Sequence, residues 1–256
     1  MWEKVTNRIV DFIRNTVKSA NADGVVIGIS GGIDSATTAF LCVKALGKDR
    51  VLGLIMPEKG VTKEEDVEDA LEICKILGIR HKLVYINPMV EAFLKNLNKG
   101  SDIAVANLKP RIRMIINYYH ANTLNYLVAG TGNKSELLTG YFTKYGDGGV
   151  DFLPIGDLYK TEVFELARYL GVPEKIIKKT PSAGLWVGQT DEDELGITYA
   201  KLDTILKALE KGYKPDEIPE KFDVSSDEVK HVIELLEKNK HKREMPPVVK
   251  LRDLLD

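Results

Sequence analysis

Apolar residues open the chain at helical spacing, with Trp2, Val5, Ile9, Phe12, Ile13 and Val17 on one face. Asn21-Ala22-Asp23-Gly24 stops that helix, and Val25-Val26-Ile27-Gly28-Ile29 reads as a buried strand. A helix is expected from Ser35 to Leu46, ended by Gly47, and a strand from Val51 to Met56. Thr62 with Glu65 has the spacing of a capping box for a helix that stops at Gly78. Lys82 to Ile86 reads as another buried strand, Pro88 opens a short helix, and Ser101 to Ala106 reads as a connector. Asn107 is then expected to cap a long helix with Pro110 in its first turn, where a missing N–H costs little. Tyr126 to Ala129 is the fourth strand.

Strand, crossover helix and strand alternate over residues 25–130, the pattern of a parallel sheet covered on both faces. The rest is mostly helical: Asp157 to Leu170, Ile197 to Lys211 and Asp227 to Lys240, with a loop over residues 181–196. The expected fold class is α/β, a Rossmann-like parallel sheet with a helical C-terminal part. Residues 1–256 are expected to form a single domain. Such sheets bind ligands beyond the carboxyl ends of their strands. The two most unusual loops, 30–35 and 131–136, both follow strands and so belong on one edge.

A length of 256 residues with 44% apolar and 29% charged positions suits a folded core and excludes general disorder. Lys and Arg number 36 against 38 Asp and Glu, giving a net charge of −2, without the basic excess of a nucleic-acid binder. No aliphatic run approaches a membrane span and no signal-peptide core opens the chain, so a cytoplasmic protein is expected. Cys42 and Cys74 sit in helical patterns among apolar neighbours and are expected as buried free thiols. The histidines show no ligand spacing, which argues against a thiolate zinc site.

Ser30-Gly31-Gly32-Ile33-Asp34-Ser35 carries the strongest chemical signal. Adjacent glycines let the backbone turn sharply and approach a ligand, and the following helix offers unpaired N–H groups to an anion. Ser30 and Ser35 add hydroxyls. Asp34 would repel a bare phosphate, and a divalent cation between them resolves that conflict. The alternative is an ordinary strand-to-helix turn. The loop fits neither a Walker A nor a GxGxxG pattern. Further on, Thr131 ends a strand and Glu136 follows one turn later, which with Asp34 makes two carboxylates on one edge. Lys144 and Asp151 flank the glycine-rich Gly146-Asp147-Gly148-Gly149. The acidic run Asp191-Glu192-Asp193-Glu194 reads as a solvated face.

The run SGGIDS resembles the pyrophosphate loop of the ATP-pyrophosphatase superfamily, whose members split ATP and adenylate an acceptor oxygen. The stretch from Gly130 to Asp151, with Phe142-Thr143-Lys144-Tyr145-Gly146-Asp147-Gly148-Gly149 entire, resembles the NAD synthetases. The resemblance extends through Asn107 to Met114, Leu158 to Val163, Pro181 to Trp186, Asp191 to Gly196, and His241-Lys242-Arg243. It departs at Thr131-Gly132-Asn133-Lys134-Ser135-Glu136, where many bacterial relatives carry Thr-Asp-His-Ala-Ala-Glu.

The resemblance implies a ligase that amidates deamido-NAD with ammonia and ATP through an adenylated intermediate, giving NAD, AMP and pyrophosphate as the last step of NAD biosynthesis. It implies ATP contacts from Gly28, Ile29, Ser30, Gly31, Gly32, Ile33, Asp34, Ser35, Thr131, Lys160 and Ser182. It implies Mg2+ on Asp34 and Glu136, and deamido-NAD contacts from Arg111, Lys144, Asp151, His241 and Lys242. Arg113 competes with Arg111. No protein nucleophile is required. A homodimer is implied, without nucleic-acid or membrane partners. Residues 1–29 read as one helix and a strand, so no glutaminase domain is expected and free ammonia is the expected donor. Another ATP-pyrophosphatase and a regulatory nucleotide-binding module are the rival readings.

Overall fold

Val25 and Ile27 pack into one hydrophobic cluster and Val26 into another, so the first strand is buried on both faces. A parallel sheet between two helical layers places these demands on its central strand. The computed structural model describes residues 1–98 and 100–255. Helix α1 (Trp2–Ser19) leads to β1 (Gly24–Gly28), α2 (Ile33–Leu46), β2 (Val51–Ile55) and α3 (Glu64–Leu77). Then come β3 (Arg80–Leu83), α4 (Asn87–Asn96), α5 (Asp102–Leu124) and β4 (Tyr126–Val128).

The strands lie in the order β3-β2-β1-β4 and pair in parallel. Val26 of β1 stands in register with Leu52 on one side and Val128 on the other. The chain winds outward from β1 to β3, then returns to set β4 on the far side of β1. The strand order therefore reverses between β1 and β4, and their carboxyl ends open a ligand crevice.

On one face, Val25, Ile27 and Ile29 pack with Ile13 of α1, Leu41 of α2 and Ile73 of α3. On the other, Val26, Leu52 and Leu54 pack with Val90 of α4 and Ile112 of α5. Each such side chain, fully buried, contributes about 1.5–3 kcal/mol.

The C-terminal part adds α6 (Lys134–Thr139), α7 (Lys160–Leu170), α8 (Glu174–Ile177) and α9 (Asp191–Leu195). It continues with α10 (Tyr199–Glu210), α11 (Ile218–Lys221), α12 (Ser226–Lys238) and α13 (Lys240–Arg243). Leu202, Ile205 and Leu206 of α10 pack with Val229 and Val232 of α12 in a third cluster. Tyr159 joins it, which ties this cluster to the start of α7.

The structure corrects four boundaries. Helix α5 begins at Asp102, capped by Ser101, whose hydroxyl accepts from the Ala104 N–H at 3.3 Å. Pro110 therefore lies inside the helix, and Arg111 is not in its first turn. Asn107 accepts from the Thr143 hydroxyl at 2.7 Å instead of capping. Thr62 likewise does not cap: the residue before α3 is Lys63, and the Thr62 hydroxyl accepts from the Glu58 N–H at 3.0 Å. Strand β3 covers residues 80–83 with exposed side chains, because it is the edge of the sheet; of the expected strand, Ile86 alone is buried. Helix α7 starts at Lys160, three residues after the expected Asp157.

Candidate active site

The turn after β1 is held open from within. Gly31 has φ +81°, and a Cβ there would run into the Asp66 carbonyl, so glycine is required. The Ser35 hydroxyl donates to the Gly32 carbonyl at 3.0 Å and accepts from the Ser30 N–H at 3.2 Å. Ser35 is buried and serves as the brace of the loop, while Ser30 is exposed. Helix α2 starts at Ile33 with no side-chain cap, which leaves its first N–H groups available to an anion.

Three charged side chains meet at that crevice. Asp34, in the first turn of α2, binds the Lys160 ammonium through Oδ2 at 2.5 Å. Lys160 Nζ also lies 3.7 Å from Glu136 Oε1. Lys160 is 1% exposed, whereas the Asp34 and Glu136 side chains keep 18% and 17%, enough for a ligand to reach them. A lysine at a helix start faces the unfavourable end of the dipole. Its ammonium is carried instead by the two carboxylates and lies 5.1 Å from the Tyr199 ring centroid. Burial opposes the Lys160 charge, but Asp34 and Glu136 outweigh it and hold the pKa above its ordinary value. Burial and the charge of Asp34 push the Glu136 carboxyl above the usual carboxylate range. Two carboxylates held this close favour an added cation.

Asn133 links the pair. Its Oδ1 accepts from the Glu136 N–H at 3.0 Å, and its own N–H donates to Glu136 Oε2 at 3.1 Å, a reciprocal cap for α6. Its Nδ2 donates to Asp34 Oδ1 at 3.0 Å. Beneath them, Asp203 of α10 accepts from the Ser135 hydroxyl and from the Thr161 N–H at 2.8 Å. The Ser135 hydroxyl in turn accepts from the Lys160 N–H at 2.9 Å. One buried carboxylate thus joins the starts of α6 and α7, which carry Glu136 and Lys160.

A narrow cleft lined by Thr131, Glu136, Phe142 and Asp147 leads from Glu136 to the 140–149 loop. There the basic residues converge. The Arg111 guanidinium donates to the Lys144 carbonyl at 3.3 Å, and the Lys144 ammonium donates to the His241 carbonyl at 2.7 Å. Lys242 donates to the carbonyls of Gly140 and Phe142 at 2.6 and 2.9 Å. Arg113 donates to the Met56 carbonyl at 2.9 Å and lies within electrostatic reach of Asp147 and Glu58. Asp151 accepts from the Val128 N–H at 2.7 Å and the Tyr118 hydroxyl at 3.0 Å, at the end of β4. Ser182 bonds within its own loop, donating to the Gln189 carbonyl at 2.7 Å. That loop is pinned to the sheet edge by Lys109, which donates to the Leu185 carbonyl at 2.8 Å and pairs with Glu58 at 2.6 Å.

The acidic run 191–194 is solvated over Glu192, Asp193 and Glu194 but not at Asp191. Asp191 is buried and accepts from Tyr199 at 3.1 Å and Tyr141 at 3.2 Å. Glu194 accepts from Tyr141 and Gln189. Sequence reasoning missed Asn133, Ser135, Asp191, Asp203 and the Lys109–Glu58 pair. Asn133 with Glu136 has capping-box spacing and could have been found; a lone Asp203 in a helix carries no such signal.

Hard oxygen donors suit Mg2+. Among the described residues no cluster of three or more metal-ligating side chains occurs, so the pair fits an ion that keeps waters and phosphates as its other ligands. Fold and crevice together define an α/β protein with Lys160 and two carboxylates gathered at the carboxyl edge of its sheet.

The profile of the family described as NAD synthase matches residues 5–246. This chain belongs to the NAD synthase family. It is 63% identical over 254 residues to the NH(3)-dependent NAD(+) synthetase of Archaeoglobus fulgidus, covering 99% of both chains. It also resembles the NMN synthetase of Francisella tularensis, with TM-score 0.87 and 37% identity, over 97% of this chain and 98% of that one. The NH3-dependent NAD synthetase of Campylobacter jejuni matches with TM-score 0.84 and 37% identity, over 98% of this chain and 99% of that one.

Proposed function

We propose that this ligase joins ammonia to the nicotinate carboxyl of deamido-NAD at the expense of ATP, yielding NAD, AMP and pyrophosphate in the last step of NAD biosynthesis. The carrying observation is the meeting of Asp34, Glu136 and Lys160 at the switch point, beside the phosphate loop. A carboxylate is a poor electrophile for ammonia. Its oxygen attacks the α-phosphate of ATP, and ammonia then displaces AMP from the acyl adenylate.

The N–H groups that open α2 hold the phosphates, with Thr131 and Ser182 as further ATP contacts. Lys160 meets the charge that develops on pyrophosphate. Asp34 and Glu136 are the ligands of Mg2+, which supplies charge neutralisation on the phosphates. Arg111, Lys144, Asp151, His241 and Lys242 receive the dinucleotide. No side chain serves as a covalent nucleophile; positioning carries much of the rate.

Residues 1–256 act as one synthetase domain that takes free ammonia. Cys42 and Cys74 are fully buried, so neither is placed to attack glutamine. A homodimer is supported by exposed apolar side chains on α4 and α5, namely Phe93, Leu94, Ile103, Ile115 and Tyr119, and by Leu97 just past the end of α4. Among the described residues no helix is long and apolar enough to cross a membrane. Buried free thiols suit a cytoplasmic setting.

The test is pyrophosphate release with deamido-NAD, nicotinate mononucleotide and xanthosine monophosphate in parallel. Deamido-NAD is expected to be preferred. Preference for the mononucleotide or for xanthosine monophosphate overturns the substrate assignment. Asp34→Asn and Glu136→Gln should each lower turnover by about a hundredfold with the fold intact by circular dichroism. Near-normal turnover in both overturns the metal assignment.

A further inference from the structure

We propose that Asn133 is a positioning residue that aims the Asp34 carboxylate at the divalent cation, an inference that rests on Asp34 and Glu136 being its ligands. Asn133 is fully buried at the carboxyl end of β4, and both ends of its amide are used. The amide orientation follows from its partners. The Glu136 N–H requires the carbonyl oxygen, so the NH2 group faces Asp34 Oδ1; the reverse would set two acceptors against each other.

A helix cap alone does not demand asparagine. Ser, Thr and Asp supply the same acceptor. Of these residues, only asparagine adds a donor that reaches across the crevice to α2. Asp34 is thereby held on both oxygens, by Asn133 on Oδ1 and by Lys160 on Oδ2. Each carboxylate oxygen has a second acceptor direction, so the Asn133 bond and a metal bond fit on the same carboxylate. The Asn133 backbone N–H meanwhile holds Glu136 Oε2. One neutral residue therefore orients both ligands without adding a charge to the site. Groups that orient metal ligands in this way change metal affinity or activity by about 10–100-fold when removed.

The deciding variant is Asn133→Ser, which keeps the cap and loses the donor to Asp34; Asn133→Thr serves equally should the serine variant not fold. Asn133→Ala removes both functions. Mn2+ is the probe, titrated by electron paramagnetic resonance against the full chain with a non-cleavable ATP analogue. Thermal unfolding and Mg2+-dependent turnover are measured alongside. The proposal expects Asn133→Ser to weaken Mn2+ binding by about 10–100-fold, with an unfolding midpoint lowered less than that of Asn133→Ala and an unchanged KM for ammonium. Asn133→Ala should unfold at lower temperature and bind Mn2+ no more weakly than the serine variant. Asp34→Asn is the control. If it loses Mn2+ while Asn133→Ser binds as wild type, this inference falls and the metal assignment stands. If Asp34→Asn binds Mn2+ as wild type, both fall.

Discussion

Asp203 accepts the hydroxyl proton of Ser135 across a sequence separation of 68 residues, and both side chains are buried. The second oxygen of Asp203 takes the Thr161 N–H, next to Lys160. The C-terminal helical part therefore fixes how far Glu136 stands from Lys160. Asp203→Asn leaves one of these two bonds without an acceptor and should cost about 1–3 kcal/mol in stability. It should lower kcat more than it raises KM for deamido-NAD, because the basic loop is held by other contacts. Urea unfolding and initial rates check this; an unchanged kcat removes Asp203 from the positioning of the site.

Lys144 lies on the basic loop and donates to the His241 carbonyl, away from Asp34. Lys144→Ala should weaken deamido-NAD binding by about tenfold, the loss of one charge-assisted hydrogen bond, and leave ATP binding nearly unchanged. Calorimetric titration of each ligand separates the two effects. Equal weakening of both would mean that the division of the crevice is wrong.

Only NH3 carries the lone pair needed for attack. At fixed total ammonium, turnover should rise with pH until other groups titrate. Glutamine, freed of contaminating ammonium, should support little turnover. Glutamine-driven rates equal to those with ammonium would refute the free-ammonia reading.

Burial pushes the Cys42 thiol up to about 12 and the Cys74 thiol up to about 11. The thiolate is the reactive form, so at pH 8 the folded chain should resist an alkylating reagent while the denatured chain reacts fast. The sign for stability follows. A thiol raised in the folded state contributes fully below its unfolded value near about 8.5 and loses that contribution as pH rises through the folded value. Mass spectrometry after timed alkylation checks the reactivity. Rapid native labelling of either cysteine at pH 8 contradicts its burial.

Parts of this molecule were legible in the order of residues alone. Local rules are short-ranged. The apolar stripe of α1, the buried run at β1 and the glycine turn at residues 30–35 each carry their signal within a few positions. Asp34 and Glu136 each follow a strand closely enough to share the carboxyl edge, and both lie against Lys160. Pro110 reads as a helix start and hides the Ser101 cap, whereas the helix runs from Asp102 through a buried Pro110. Within the acidic run only Asp191 departs from the solvated reading, because charge in sequence does not reveal the two tyrosines that bond to it.

The sequence by itself determined most of the helices and strands, the parallel sheet and the glycine turn at residues 30–35, since periodicity and turn chemistry are properties of neighbouring residues. Only the tertiary structure decided that β4 lies beside β1, that Lys160 is buried against Asp34 rather than solvated, and that Asn133 and Asp203 hold the pair. These contacts join residues separated by between 42 and 126 positions. Such contacts depend on strand order and on how helices close over the sheet, and no local pattern encodes a hydrogen bond made at that separation.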